Sequence, residues 1–362
     1  MPDRFPVSAV GAVIDVDVSG RDAEFRVRAH EAWADARYDG DRPADAVVAV
    51  REALDDDAAL SMLSTDVTIA ALAHRRADPV WMLHAAGLAD ESGRVVVLSA
   101  PSGTGKTTAA RHLSQRYAYV SDETIAIAAD GGVEPYRKPL SIIEAHSAHK
   151  AQVALSSLDG GRPLPAALRV VKIVVIDRSP DGPETPSLEE LDIAEAFELL
   201  GPQTSYLCDG EAPLQRIAAL LRATGGAVRL RYREVAGIDE VIEGLLRTEL
   251  QPVDAVSPRP TTSGTASAGS GAFAHADIVD ELDLGGRTAI LQRTPTGGQV
   301  HVLDGIGPSL WAAAHGRTLD DIVETVVAEH GEPETGDARS IVQAALQELV
   351  EDGLLQEPTT QT

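Results

Sequence analysis

Val95–Thr108 reads VVVLSAPSGTGKTT. The aliphatic run Val95 to Leu98 gives way to small residues, and Lys106-Thr107-Thr108 then open a helical pattern. A buried strand, a loop and a helix N-terminus in that order can cradle an anion. The first N–H groups of a helix have no partner inside it and point towards whatever precedes them. Gly103 and Gly105 let the backbone curl its N–H groups around a phosphate, with Ser102, Thr104 and Thr108 completing the loop. Lys106 adds positive charge, and the Thr107 hydroxyl can ligate Mg²⁺. The usual pattern G-x-x-x-x-G-K-[ST] starts on a glycine, whereas Ala100 stands at that place. A plain glycine-rich turn is the alternative, but a GK[ST] triplet directly after a buried strand favours nucleotide phosphate.

The rest of the composition limits what that phosphate serves. The chain has 362 residues, enough for two or three domains, and a net charge of −25. Such a charge repels nucleic-acid phosphates and argues against a nucleic-acid partner. A basic peptide or protein is favoured instead. The single cysteine, Cys208, precludes an intramolecular disulfide and suits a reducing cytoplasm. No stretch reaches the roughly eighteen apolar residues of a spanning helix. The opening FPVSAVGAVIDVDV alternates around Ile14, Val16 and Val18, which is a strand pattern, and Asp3 spoils a signal-like basic start. The expectation is a cytoplasmic protein without a membrane association.

Outward from the loop, Val7 to Val27 suggests a β-hairpin turning at Ser19-Gly20-Arg21-Asp22, and Ala46 to Val50 a further strand. Asp55 to Ala77 carries helical spacing. These residues form an expected N-terminal β-rich and helical subdomain, 1–78. An α/β phosphate-loop domain follows over 79–250, because strands alternate with helices around the loop. PVWMLHAAGLAD reads as one strand running into a turn, VVKIVVI (170–176) as a buried strand, and Ser187 to Leu200 as one helix. Residues 251–272, QPVDAVSPRPTTSGTASAGSGA, hold almost nothing to bury and read as a flexible linker. Beyond it, 273–357 shows three short strands and then helices, an α+β module of winged-helix-like size. Roughly four basic against sixteen acidic residues there disfavour DNA.

Phosphoryl transfer is mostly positioning and charge neutralisation, so it needs metal-holding carboxylates and a group that orients the acceptor. Asp122-Glu123, at the tip of the strand after the phosphate-loop helix, supplies such a pair. A loop carboxylate capping the next element is the structural alternative.

The succession LHAAGL, VVLSAPSGTGKTTAARHL, YAYVSDE and VEPYRKPLS resembles the HPr kinase/phosphorylase-like P-loop kinases. That family shares its nucleotide core with the ATP-dependent phosphoenolpyruvate carboxykinases. The resemblance covers roughly Pro79 to Leu250 and implies a P-loop kinase core using ATP and Mg²⁺. It implies Asp122 as the base-like carboxylate and Glu123, in place of the family's second Asp, on the metal side with Thr107. His84 matches a histidine common before the loop strand, and a structural hydrogen bond at a strand edge explains it equally well. Lys138 and Arg178 match strand-end positions where they can neutralise transferring phosphate or serve as surface ion-pair partners. The C-terminal signature that engages HPr itself is not recognisable, so HPr is not the expected substrate.

The C-terminal module is similar to PqqD-like proteins. The resemblance rests on Leu303-Asp304-x-x-Gly307, Trp311, Thr318-Leu319-x-x-Ile322 and Gly353-Leu354-Leu355, in order, over about Phe273 to Leu355. Trp311 reads as core, and Thr318 with Asp321 as a modified capping box. The resemblance implies recognition of the leader segment of a ribosomally made precursor peptide, added as a strand to a sheet edge. Two functions follow as expectations. One is an ATP/Mg-dependent kinase acting on a Ser or Thr hydroxyl of that peptide. The other is a catalytically degenerate nucleotide-binding recognition scaffold that presents the peptide to other modifying enzymes. A small-molecule kinase is a third reading.

Overall fold

The computed structural model describes residues 1–142, 151–158, 162–249, 272–295 and 297–357. Contacts gather the chain into two units. The first comprises Met1–Asp192, Gln203–Glu211 and Leu220–Val253, and the second Ile193–Pro202, Ala212–Ala219 and Asp254–Thr362. The expected linker lies outside the described residues except for Ala272.

In the first unit, β1 (Arg4–Ala9) and β2 (Ala12–Asp17) form an antiparallel hairpin. It turns at Val10-Gly11, both at positive φ, and not at residues 19–22. Both turn residues are apolar or small, so they hide inside the alternating pattern. Asp22 instead accepts from the Phe25 N–H and caps α1 (Ala23–Ala32). β3 (Ala46–Ala49) adds parallel to β2. α2 (Asp56–Arg75), capped by Asp55, buries Leu60, Leu63, Val67 and Ala71 in the core that holds Phe5, Val7, Ile14 and Trp33.

The segment expected as one strand is two. β4 (Val80–Leu83) and β5 (Ala85–Ala89) join different sheets, and His84 occupies the switch between them. β6 (Arg94–Ser99) leads through the glycine-containing loop 100–105 into α3 (Lys106–Leu113), then β7 (Ala118–Ser121), β8 (Ile125–Ala128) and β9 (Val133–Glu134). β10 (Leu140–Ile142) pairs with β11 (Ala151–Val153). β12 (Arg169–Arg178) is the long buried strand expected at 170–176.

Residues 187–200 divide into β13 (Ser187–Leu191) and α4 (Ile193–Leu200). The glutamates make the whole stretch look helical. Pairing on the sheet edge overrides that propensity, with Glu189 meeting Arg229 across the strands at 3.0 Å. α5 (Pro213–Ala223), β14 (Ala227–Tyr232) and α6 (Asp239–Arg247) complete this part of the chain.

The main sheet has the order β13-β14-β12-β6-β5-β7. Its centre, β14, β12 and β6, is parallel, and β5, β7 and β13 run antiparallel to their neighbours. α3 and α6 bury Ala109, Ala110, Leu113, Ile242 and Leu246 with Val96, Leu98, Val174 and Leu230 of that sheet. β6 and β7 both end at the edge of this core, which brings the loop after β6 and the acidic pair after β7 together.

The second unit holds a meander of β16 (Ile278–Asp283), β17 (Thr288–Thr294) and β18 (Gly297–Leu303), preceded by the short β15 (Ala274–His275). Three helices follow: α7 (Gly307–Ala314), α8 (Leu319–His330) and α9 (Ala338–Glu351). The final β19 (Leu355–Gln356) pairs with β15. Ile290, Leu303, Leu310, Trp311, Ile322, Val342 and Leu346 form its core.

The other face of the meander is buried too. Asp280, Leu291 and Val300 stand opposite one another across the three strands. Leu282, Ala289 and Leu291 are at most 1% exposed. In this same unit α4 packs against β18, and Gly201, just past α4, has room for no side chain larger than a close contact with Val300.

Candidate functional site

The loop after β6 turns on two glycines at positive φ, Gly103 (85°) and Gly105 (106°). Gly105 is the N-cap of α3 and has no side chain to satisfy the first helical N–H groups, which leaves them to a ligand. Ala100 is not among the positive-φ residues. The position where a glycine is usual therefore needs no left-handed backbone in this chain, and alanine fits without strain. The Lys106 ammonium folds back onto the carbonyl oxygens of Ala100 and Pro101. Burial pulls its pKa below the usual lysine value, while Glu123 and Asp122 pull the other way.

A cavity of about 940 Å³ opens in front of this loop. Ser102, Gly103, Gly105, Lys106, Thr107 and Thr108 line one side, and His84, Asp122 and Glu123 line another. Asp122 comes fifteen positions after Thr107, yet α3 and β7 return the acidic pair to the same space. The Thr104 hydroxyl bonds back to Pro101 O at 2.9 Å, and Thr104 does not line the cavity. Nor does Arg178: it lies beside Gly105, with Nε donating to Arg233 O at 3.2 Å.

Asp122 is 6% exposed and held from behind. The hydroxyl of Tyr119, three residues earlier on β7, donates to Asp122 Oδ1 at 2.7 Å. Burial, followed by the charge of Asp122, raises the Tyr119 pKa well above its ordinary value, so the phenol keeps its proton and remains the donor. Lys138 Nζ stands 3.7 Å from Asp122 Oδ1 and 3.6 Å from Glu123 Oε2. His84 Nδ1 lies 3.6 Å from Glu123 Oε1. Burial and then the Lys106 charge lower the His84 pKa, opposed by Glu123, and its backbone N–H donates to Gln203 O at 2.7 Å.

Sequence reading named Lys138 but missed Tyr119, and it missed Arg111, His112 and Gln115, which line the cavity beyond Thr108. Their signal was present as helical spacing from Thr107 and Thr108, three and four residues apart. Among the described residues no group of three or more His, Cys, Asp or Glu could hold a metal ion on its own. Mg²⁺ usually binds through one or two carboxylates with substrate phosphates and waters, and Asp122, Glu123 and Thr107 are a donor set of that kind.

In the second unit, β18 ends the meander, and its outer edge pairs with no strand among the described residues. Trp311 is 2% exposed, its Nε1–H donates to Glu281 Oε2 at 3.1 Å, and the His275 ring stacks on it at 3.7 Å. That is a core role. Thr318 and Asp321 form the expected reciprocal capping box at the start of α8. Among the described residues no helix is long and apolar enough to cross a membrane.

Comparison with known proteins gives one family. Residues 289–355 match the family model of PqqD, coenzyme PQQ synthesis protein D. A search of curated proteins finds no match to the chain. The chain carries a PqqD-like domain, spanning β17 to the start of β19.

Proposed function

We propose that this protein is a recognition protein for a ribosomally made precursor peptide, in peptide natural-product biosynthesis. It would capture the leader on its PqqD-like domain and present the peptide to modifying enzymes. The observation that carries this reading is the match of residues 289–355 to PqqD, on a meander whose end strand β18 has an outer edge that pairs with no strand among the described residues. An extended leader can add there, gaining main-chain hydrogen bonds from the edge and specificity from alternating side chains. The domain is strongly acidic, which favours a leader with basic residues. The test is to titrate the full chain with the precursor peptide encoded beside its gene and to follow hydrogen exchange. Binding with new protection of β18 amides supports the proposal. Absence of binding, or protection confined to the first unit, overturns it.

A second reading is favoured by the side chains around the 940 Å³ cavity. In it the first unit is a P-loop kinase core, similar to the HPr kinase branch, and phosphorylates the captured peptide. Lys106 and the loop N–H groups would hold the β- and γ-phosphates of ATP, and Thr107 and Glu123 would face Mg²⁺. Mg²⁺ supplies charge neutralisation between the phosphates. Asp122 would take the proton of a Ser or Thr hydroxyl as its oxygen bonds to the γ-phosphorus. The bond to the β–γ bridging oxygen breaks, and ADP leaves. What supports this is the convergence of Lys106, Asp122, Glu123 and His84 on one cavity. Incubation with MgATP and the precursor should then add one phosphoryl group by mass, and Lys106→Ala should abolish it. Peptide binding without mass gain leaves the recognition reading alone.

A further inference from the structure

Two helices from outside the PqqD-matched residues meet the meander of the second unit, and they meet different strands. The start of α5 is bonded to Asp280 on β16, whose carboxylate accepts from the Leu214 N–H at 2.8 Å. α4 packs against β18, at the other end of the strand order. Just past α4, a Cβ on Gly201 would come within 3.0 Å of Val300 Cγ2, so helix end and strand approach closely there. α4 therefore borders the side of the meander whose edge pairs with no strand among the described residues. Val300 and Val302 alternate onto this face and are only half-buried, although α4 lies beside them.

The geometry points to α4 as an added wall of the leader groove, with Glu198 as the residue that selects a basic side chain in the leader. This rests on reading the PqqD-like domain as a leader-binding module. A strand added to β18 would lie about 4.8 Å beyond it, and every second side chain would project to the face that carries Val300, Val302 and α4. Those side chains would continue the apolar surface of the two valines and then meet the helix. α4 turns Ala194, Ala196, Phe197 and Leu200 inwards. Glu198 is exposed, four residues after Ala194 and one turn before Gly201, on the strip of helix next to β18. Neither α4 nor β18 contains a lysine or arginine, so a basic leader side chain meets no competing cation on either element. A wall outside residues 289–355 gives this chain a means of choosing its peptide that the matched domain alone does not contain.

Exchanging charges tests the contact. The full chain would be titrated calorimetrically with the precursor peptide encoded beside its gene, as wild type, Glu198→Gln and Glu198→Lys, with hydrogen exchange at saturation. Glu198→Gln should weaken binding about three-fold and Glu198→Lys about ten-fold or more, with β18 amides still protected once the peptide is bound. Peptides in which each Lys or Arg of the protected segment is replaced in turn by Glu should include one that binds Glu198→Lys more tightly than wild type. That reversal requires a direct pair, and a loss of fold cannot produce it. Unchanged affinity in both variants, or a loss that no peptide exchange reverses, overturns α4 as a wall of the groove. If wild type does not bind the peptide, or binds it without protecting β18, the recognition reading fails first and the wall falls with it. A free chain that dimerises with protection of β18 would make a second copy the occupant of that edge and overturn the peptide there.

Discussion

Asp280 Oδ2 accepts a hydrogen bond from the backbone N–H of Leu214 at 2.8 Å, across 66 positions of sequence. Asp280 lies on β16 and is 1% exposed, and Leu214 is in the first turn of α5. The same carboxylate takes the Gln215 N–H at 3.3 Å and the Gln215 side-chain amide at 3.1 Å. A strand residue thus performs the capping that Ser or Asp usually performs from just before a helix. Asp280→Ala would leave buried N–H groups unpaired and should cost about 1–3 kcal/mol of the second unit's stability. Asp280→Asn, which keeps an acceptor, should cost less. Urea unfolding followed by Trp311 fluorescence measures both.

The same relationship defines what the PqqD-like domain needs in order to fold. Leu282, Ala289 and Leu291 point away from α7, α8 and α9 and are buried within a unit that includes Ile193–Pro202 and Ala212–Ala219. A fragment of residues 272–357 would expose that face. It should expose apolar surface, bind a hydrophobic dye and self-associate, whereas the full chain should not. A monodisperse fragment by analytical ultracentrifugation, with native-like stability, would refute this.

How legible was this in the sequence? The strand, loop and start of α3 were, because every signal there is local: Val95 to Leu98 for burial, two glycines for the turn, Lys106 for the helix. The acidic pair was legible for the same reason, since one short strand after a helix returns the chain to its start. Tyr119 was not. Nothing in YAYVSDE says which tyrosine turns inwards, and only the pleat of β7 places its hydroxyl on Asp122. The division of 187–200 into β13 and α4 depended on Arg229, forty residues away. The cover on the meander's second face depended on Asp280 and Leu214, a pairing that no local pattern encodes.

Ala100 and Gly105 make opposite predictions about the loop. Ala100 lies outside the left-handed region, so Ala100→Gly should leave tripolyphosphate affinity within about two-fold and cost roughly 0.5–1 kcal/mol in stability through added chain entropy. Gly105 has φ 106°, where a Cβ is strained even though its nearest neighbour would be Arg178 Cδ at 3.6 Å. Gly105→Ala should destabilise by about 1–2 kcal/mol and weaken phosphate binding together. Thermal melts with and without tripolyphosphate separate the two effects.

Acid should weaken the second unit through its histidines. Burial holds His301 below its ordinary value of 6.5, with Asp352 opposing, and burial does the same to His275. His301 Nε2 is buried without a hydrogen-bond partner among the described residues. A group whose folded pKa is depressed favours the folded state above its unfolded pKa. That contribution is lost as pH falls from 6.5 through the folded value, because the unfolded chain binds the proton first. Unfolding free energy should therefore drop between pH 7.5 and pH 5. His301→Leu should flatten that slope, and an unchanged slope would remove His301 as its source.

Tyr119 and Asp122 give the most direct test of chemistry at the cavity. The Tyr119 hydroxyl donates to Asp122 Oδ1, and Asp122 lines the cavity. Tyr119→Phe removes that donor and with it a restraint on the orientation of the carboxylate. If the protein transfers phosphoryl groups, Tyr119→Phe should slow transfer by about ten-fold while nucleotide affinity stays within about two-fold. Asp122→Asn should abolish transfer outright while nucleotide binding persists. Removing a buried hydroxyl from a satisfied pair should cost about 1 kcal/mol of stability, small enough for the variant to stay folded. A transfer rate unchanged in Tyr119→Phe would show that the phenol packs beside the carboxylate without orienting it.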